Sequence, residues 1–231
     1  MKRFWKAVEA VADEGGWGVR LDDRPLRTPG KALLVVPTEA LAQSIAEEWA
    51  SAAENLDPRA MPFTGLANAA IDRVAPDRAA FARSLAKYAE ADLACYRAEG
   101  PQTLAERQAG SWDRLLGWAR RRYDVDFVVT TGIVHVPQPA ATVDRLAYEV
   151  SALDAFRLAG LSPLVTIGGS LLAALAMIEG ALTTGQAWDA VSIDERWQLE
   201  KWGEDAEAVA ALKLRRADFF AAARFLELLD A

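Results

Sequence analysis

One cysteine, Cys95, and one histidine, His135, stand in a chain of 231 residues. The first excludes an internal disulfide and points to a reducing compartment. The second excludes a metal cage built on histidines, and with it a di-metal bundle of the Glu-x-x-His kind. Basic charge is also in deficit, since 26 Lys and Arg against 33 Asp and Glu leave a net charge of −7. That balance disfavours nucleic acid as the main partner and suits a basic protein surface. Long hydrophobic runs are scarce as well. Only residues 158–178, 21 uncharged positions between Arg157 and Glu179, reach the length of a membrane span. Ser162-Pro163 marks a helix start and Gly168-Gly169-Ser170 dilutes the apolar character, so two buried core helices are expected there, with no stable membrane insertion. The first ten residues reach Glu9 without an apolar stretch of signal-peptide length, so no secretion signal is expected and the cytoplasm is the expected compartment.

What is present reads as α+β: a small N-terminal antiparallel β domain over 1–37, then a larger, mainly helical domain over 38–231. Alternating runs around Phe4–Val11 and Trp17–Leu21 flank Gly15-Gly16 and predict a hairpin, and Lys31–Val36 predicts a further strand before Pro37. Gly15-Gly16-Trp17-Gly18 lacks the Lys-Ser/Thr of a Walker loop and the helix that a dinucleotide motif needs, so it is a turn. Helix starts are signalled by Thr38, by Thr103 with Glu106, and by Thr183 with Gln186. Apolar periodicity places helices at about 38–53, 64–74, 77–98, 103–122, 142–159, 163–180, 184–202 and 204–229, with ends uncertain by about 2–4 residues. A two-strand ribbon is expected near 126–136, between Asp126–Thr130 and Ile133–Val136.

Groups that could carry chemistry are few. His135 falls on a predicted strand and Cys95 on the helix of Tyr88 and Tyr96, both as structural residues. Gly168-Gly169-Ser170 lacks the strand and second glycine of a nucleophile elbow and reads as close helix packing. Arg120-Arg121-Arg122 ends a helix, where cations complement the dipole. Carboxylates are abundant but nothing pairs two of them, so an enzyme with a carboxylate pair in a cleft between the two domains stands as the alternative function.

Acidic charge concentrates near the C-terminus. Between Asp189 and Glu207 lie Asp189, Asp194, Glu195, Glu200, Glu204, Asp205 and Glu207 against Arg196 and Lys201, a local charge of −5, interleaved with Trp188, Trp197 and Trp202. That composition fits a protein-binding surface, or a solvated helix face. Trp188, Val191, Glu195, Leu199, Trp202, Ala206 and Val209 fall on one stripe at helical spacing, with Glu195 alone interrupting it. Ser192 with Glu195 matches a capping box, which leaves two readings of that carboxylate: a helix cap, or a partner contact. Asp194, Gln198, Lys201 and Asp205 line the neighbouring polar stripe.

Several ordered strings resemble the assembly chaperones of ATP synthase that act on its α subunit. They are Leu41-Ala-x-x-Ile-Ala-Glu-Glu-Trp49, Met61-Pro-x-Thr-x-Leu-Ala-Asn-x-Ala-Ile-Asp72 and Tyr88-Ala-Glu-x-Asp-Leu-x-Cys-Tyr-Arg-Ala-Glu99, followed by Pro101 to Gln108, Trp112 to Ala119 and Gly132 to Pro139. Asp194-Glu-x-Trp-Gln-x-Glu-x-Trp-Gly-Glu-Asp-x-Glu-Ala208 completes a likeness that spans almost the whole chain. Asp124 departs from the pattern, standing where a turn glycine is expected. The resemblance implies the bacterial form of the family, a β domain followed by a helical one, no catalysis and no cofactor. It also implies a role as a monomer that holds the unassembled α subunit until the β subunit replaces it. Carried over, it points to Glu195 first, with Asp194, Gln198, Trp202, Asp205 and Glu207, as partner-binding residues. Asp72, Glu90 and Asp92 match as patterns with no role beyond packing and polar satisfaction.

Overall fold

Hydrogen bonding of the N-terminal residues begins with a hairpin whose register runs from Val8↔Leu21 to Asp13↔Gly16. The computed structural model describes residues 3–203 and 205–231. Strands β1 (Val8–Asp13), β2 (Gly16–Leu21), β3 (Arg24–Pro25) and β4 (Val35–Val36) are followed by helices α1 (Glu39–Ser51), α2 (Pro62–Ala69) and α3 (Arg78–Ala86). Then come β5 (Tyr96–Arg97), α4 (Gln102–Tyr123), β6 (Thr130–Thr131), α5 (Ala140–Ser151), α6 (Ala155–Gly168), α7 (Leu171–Ile178), α8 (Thr184–Val191), α9 (Ile193–Trp202) and α10 (Ala206–Leu228). A small antiparallel N-terminal sheet ahead of a mostly helical remainder is the architecture expected.

Packing divides the chain into two compact units, one drawn from Met1–Arg78, Asp154–Leu161 and Ala221–Ala231, the other from Ala79–Leu153 and Ser162–Phe220. The first unit therefore runs past the expected junction at Pro37, for a physical reason. Four short strands cannot bury their own inner face. Val19 and Leu21 point inward and are covered by Leu41, Ala42, Ile45 and Trp49 of α1, with Phe225 and Leu228 closing the same core. Thr38 caps α1 by accepting from the Leu41 amide, and its hydroxyl donates to the Leu228 carbonyl at 2.5 Å. The Trp5 indole donates to the Trp49 carbonyl at 3.1 Å and the Trp49 indole to Thr64 Oγ1 at 3.1 Å. Asp72 accepts from Thr28 Oγ1 and the Gly30 amide, the polar satisfaction expected of it. Of Lys31–Val36 only Val35 and Val36 join the ladder, beside a single bridge from Leu33 to Arg27.

In the second unit α4 buries Leu104, Gln108, Trp112, Leu115, Leu116, Ala119 and Tyr123 at helical spacing, and α7 is buried from Leu171 to Ala176. Asp124 ends α4 in the left-handed region, with φ 54° and ψ 56° and Arg120–Arg122 in the last turn, so it does the work of the expected glycine. Gly168 packs as expected: a Cβ there would stand 3.1 Å from Val191.

Four expectations fail locally. The helix predicted over 77–98 ends at Ala86 and gives way to single turns at Lys87–Ala91 and Leu93–Cys95. Asp92 causes the break, its backbone extended and its carboxylate accepting from the Ala94 amide, so Tyr88, Cys95 and Tyr96 share no helix. The ribbon at 126–136 does not form; Thr130–Thr131 pair in parallel with Tyr96–Arg97 instead. The Gln138 amide occupies the place of a partner strand by bonding both the N–H and the C=O of Val128, and Ile133 and Val134 are left 98% and 74% exposed. Pro163 lies inside α6, in neither a helix start nor a break, because the flanking Leu161, Leu164 and Val165 are wholly buried and packing overrides one missing amide. No helix of the described residues is long and apolar enough to cross a membrane. The helix expected over 184–202 is interrupted at Ser192, between α8 and α9.

Candidate interaction site

Ser192 sets the geometry of the acidic segment. Its hydroxyl donates to the Trp188 carbonyl at 2.7 Å, and no side-chain cap bond is made to α9. The capping box with Glu195 is therefore not formed. The box at Thr183–Gln186 is formed with both bonds, while Thr103 lies within α4, which starts after Pro101 without a side-chain cap. Freed from capping, Glu195 accepts from Arg215 Nη1 at 2.8 Å, and Arg215 Nη2 donates to the Ile167 carbonyl in the last turn of α6 at 2.7 Å. The guanidinium thus satisfies an end carbonyl that has no partner within its helix.

Gly203 adopts φ 89° and ends α9. Eight residues before it lies Glu195 and twelve after it lies Arg215, and their contact requires α9 and the start of α10 to run back alongside each other. The stripe expected from Trp188 to Val209 is consequently not one surface, being broken at Ser192 and again at Gly203. In its place each helix offers positions spaced i, i+3, i+4 and i+7: Glu195, Gln198, Leu199 and Trp202 on α9, Ala208, Ala211, Leu212 and Arg215 on α10. With Gly203 and Asp205 they line a groove of about 640 Å³.

Of the expected partner-binding residues, Glu195, Gln198, Trp202 and Asp205 meet in this groove. Trp202 is 76% exposed, its indole edge-on to the buried Trp197 with ring centroids 6.0 Å apart. Asp194 points elsewhere: it accepts from Gln108 Nε2 at 2.7 Å and borders a second hollow with Trp112 and Ile133. Glu207 is exposed outside the groove and gives its amide to Asp205 Oδ1 at 3.1 Å. Glu204 lies outside the described residues. The α10 side was missed in sequence because its apolar members are mostly alanines, although Ala208, Ala211 and Leu212 keep the helical spacing.

Ion pairing consumes much of the segment's charge. Asp189 pairs with Arg196, Glu195 with Arg215, and Glu200 takes a two-pronged bond from Arg107 at 2.8 and 2.9 Å that holds its carboxyl below the usual range. Among the described residues no cation forms an ion pair with Asp194, Asp205 or Glu207. The groove therefore combines an apolar floor with a residual negative rim.

The raised carboxylates lie away from it. Asp92 is buried and pushed up to about 6 by desolvation, while accepting from Ser170 Oγ and from the Ala94 and Leu172 amides. Glu48 is raised by desolvation too and accepts from the Phe63 and Thr64 amides and from Thr64 Oγ1. Both are spent on backbone amides at the starts of short helical segments. Cys95 is buried, and desolvation, followed by the nearby Asp92 charge, pushes its thiol up to about 12. His135 is exposed, off any strand, with Nδ1 3.3 Å from the Tyr96 hydroxyl. Among the described residues no three His, Cys, Asp or Glu are grouped to hold a metal ion.

Comparison with known proteins agrees across the chain. A family model described as ATP12 chaperone protein matches residues 2–120. The crystal structure of Atp12 from Paracoccus denitrificans is 45% identical with a TM-score of 0.93, covering 99% of this chain and 98% of that one. A charge-reversal mutant of the P. denitrificans protein matches equally well, with 97% of that chain covered. A structure from Agrobacterium tumefaciens is 38% identical, also with a TM-score of 0.93, covering 99% of this chain and 86% of that one. "Protein atp12, mitochondrial" of Schizosaccharomyces pombe is 25% identical over 226 residues, 90% of this chain and 76% of the relative. The groove lies beyond the segment matched by the family model and within the part shared with all three bacterial structures.

Proposed function

The chain belongs to the ATP12 chaperone family, and from that premise we propose that it assists assembly of ATP synthase by holding the unassembled α subunit. It covers the α surface that the β subunit later occupies. A subunit made for an obligate ring exposes an apolar interface before its neighbour arrives, and such patches aggregate unless they are capped. The observation that carries this reading is Trp202, a large indole 76% exposed at the wall of an apolar groove with a negative rim. Exposed aromatic residues beside apolar hollows are the usual energetic anchors of protein interfaces.

In this reading Glu195, Gln198, Trp202 and Asp205 form the contact, and Asp194 and Glu207 flank it. The protein acts as a monomer in the bacterial cytoplasm, without cofactor or turnover. Its hold on the client is strong enough to prevent aggregation and weak enough to yield to β.

Size-exclusion chromatography of the protein with newly synthesised α subunit from the same source tests this, with β as the control. A one-to-one peak with α that β displaces is the expected result. No complex, together with no protection of α from aggregation, overturns it.

A further inference from the structure

The N-terminal half of α10 is unusual for a helix in a folded unit. From Ala206 to Asp218 no residue is fully buried; only Val209, Leu212 and Arg215 are half-buried, and Leu214 is 55% exposed. Isolated helices of this length are marginal in water, and most helical stability in proteins comes from packing an apolar face. This stretch is held instead by alanine propensity and by the ties of Arg215 to Glu195 and Ile167. Its inner face supplies Ala208, Ala211 and Leu212 to the groove, opposite Leu199 and Trp202.

Three features define what fits there. Ala208 and Ala211, three apart, leave room for close approach of another backbone. From Glu195 to Trp202 of α9 is seven helical steps, about 10 Å or two turns at about 1.5 Å per residue, so the groove is elongated along a helix pair. Among the described residues its one cation is Arg215, already engaged by Glu195 and the Ile167 carbonyl, whereas Asp205 at the other end accepts the Glu207 amide and meets no cation in ion-pair contact. Free charge at the groove is thus negative.

We propose that this groove receives an amphipathic helix of the client, lying against α9 and α10, with its apolar face on Leu199, Trp202 and Leu212 and a Lys or Arg beside Asp205. Two turns of an apolar helix face match the groove's length, and the Asp205 carboxylate, paired with no cation among the described residues, selects a basic flank. The inference rests on the reading that the α subunit is the client, and it adds which part of that subunit is held and in what conformation.

The test uses the full chain and purified α subunit. Ala211→Trp fills the groove from an exposed helix position, and Ala217→Trp places the same bulk on another face of α10 as a control. Binding of α weakened at least tenfold by Ala211→Trp, with Ala217→Trp binding like the parent, is expected; equal binding by all three overturns the groove while leaving the client intact. A photo-crosslinker at position 208 reports the segment of α that is held. Crosslinks spaced by three and four residues support a helix, and crosslinks to an extended segment or loop overturn it. Concentration-dependent self-association that Ala211→Trp abolishes would assign the groove to a second copy and overturn the proposal. If the parent binds no α at all, the client reading fails first and the groove's assignment falls with it.

Discussion

Glu195 and Arg215, twenty residues apart and on different helices, meet at 2.8 Å, and through the second arm of the guanidinium the pair is tied to the last turn of α6. The bridge holds one end of the groove, so its energetic and functional weights differ. Side-chain exposures of 35% and 43% keep its direct contribution to stability within about 0–1 kcal/mol. Glu195→Gln is therefore expected to shift urea denaturation by less than about 1 kcal/mol. Glu195→Lys sets a second cation against Arg215 and is expected to weaken client binding at least tenfold while the far-UV circular dichroism spectrum stays unchanged. Loss of cooperative unfolding in the lysine variant would show the bridge to be structural.

Two tryptophans should respond in opposite ways. Trp112 is buried, donates to the Ala190 carbonyl at 2.8 Å and lies under the Arg97 guanidinium, so Trp112→Ala should cost about 3–5 kcal/mol in chemical denaturation. Trp202→Ala should cost less than about 0.5 kcal/mol in the same measurement. In calorimetric titration with the client it should lose about 2 kcal/mol or more of binding energy, as an interface anchor does.

Asp92 makes stability depend on pH. Its folded pKa is raised from 3.8 to about 6, so the folded state binds this proton more tightly than the unfolded state does. The corresponding stability is fully present below about pH 4 and is lost as pH rises to about 6, on the order of 2–3 kcal/mol. Asp92→Asn cannot titrate and should lack this fall, while the loss of a proper acceptor for the Leu172 amide lowers its stability by about 1–3 kcal/mol. Urea denaturation of both proteins between pH 4 and 8 measures the difference. A wild-type curve parallel to that of the variant would contradict the assignment.

Gly160 separates packing from propensity. Alanine is the better helix former by about 1 kcal/mol, yet a Cβ at this position of α6 would lie 2.7 Å from Leu226 Cδ2, 2.8 Å from its Cγ and 3.1 Å from Phe225, both side chains being buried. Gly160→Ala is expected to destabilise by about 1–3 kcal/mol, since the core must shift to admit the methyl group. A gain in melting temperature would show that the packing yields.

Cys95 should be inert in the native protein. Wholly buried, with its thiol pushed up to about 12, it carries almost no thiolate at pH 8. Ellman's reagent should leave it untouched until urea unfolds the chain, and then titrate one thiol per molecule.

The hairpin, the caps at Thr38 and Thr183, the periodic face of α4 and the buried character of residues 158–178 were legible because each depends on neighbours within about one turn or one strand pair. Failures occurred where a side chain captured backbone groups or where packing overrode a local signal. Gln138 took the bonds of Val128 from the expected ribbon, the Asp92 carboxylate ended a helix that apolar spacing would have continued, and buried leucines carried α6 through Pro163. At the site, the acidic surplus, Trp202 and the oddity of Glu195 were visible in the linear chain. Arg215 was not, because an arginine twenty residues away on an alanine-rich helix carries no local mark of its partner.

Composition and local pattern by themselves determined the α+β class, the placing of a small N-terminal sheet ahead of a mainly helical remainder, and the concentration of carboxylates and tryptophans near the C-terminus. Only the tertiary structure decided that one stripe becomes two facing helix surfaces, that Glu195 belongs to Arg215 in place of its own helix end, and that Asp194 turns away from the groove while Asp205 joins it. The reason is physical. Propensity and capping act over a few residues and are worth about 1 kcal/mol each, whereas the choice of partner for a half-buried charge is settled by desolvation and by groups that meet only after the chain has folded.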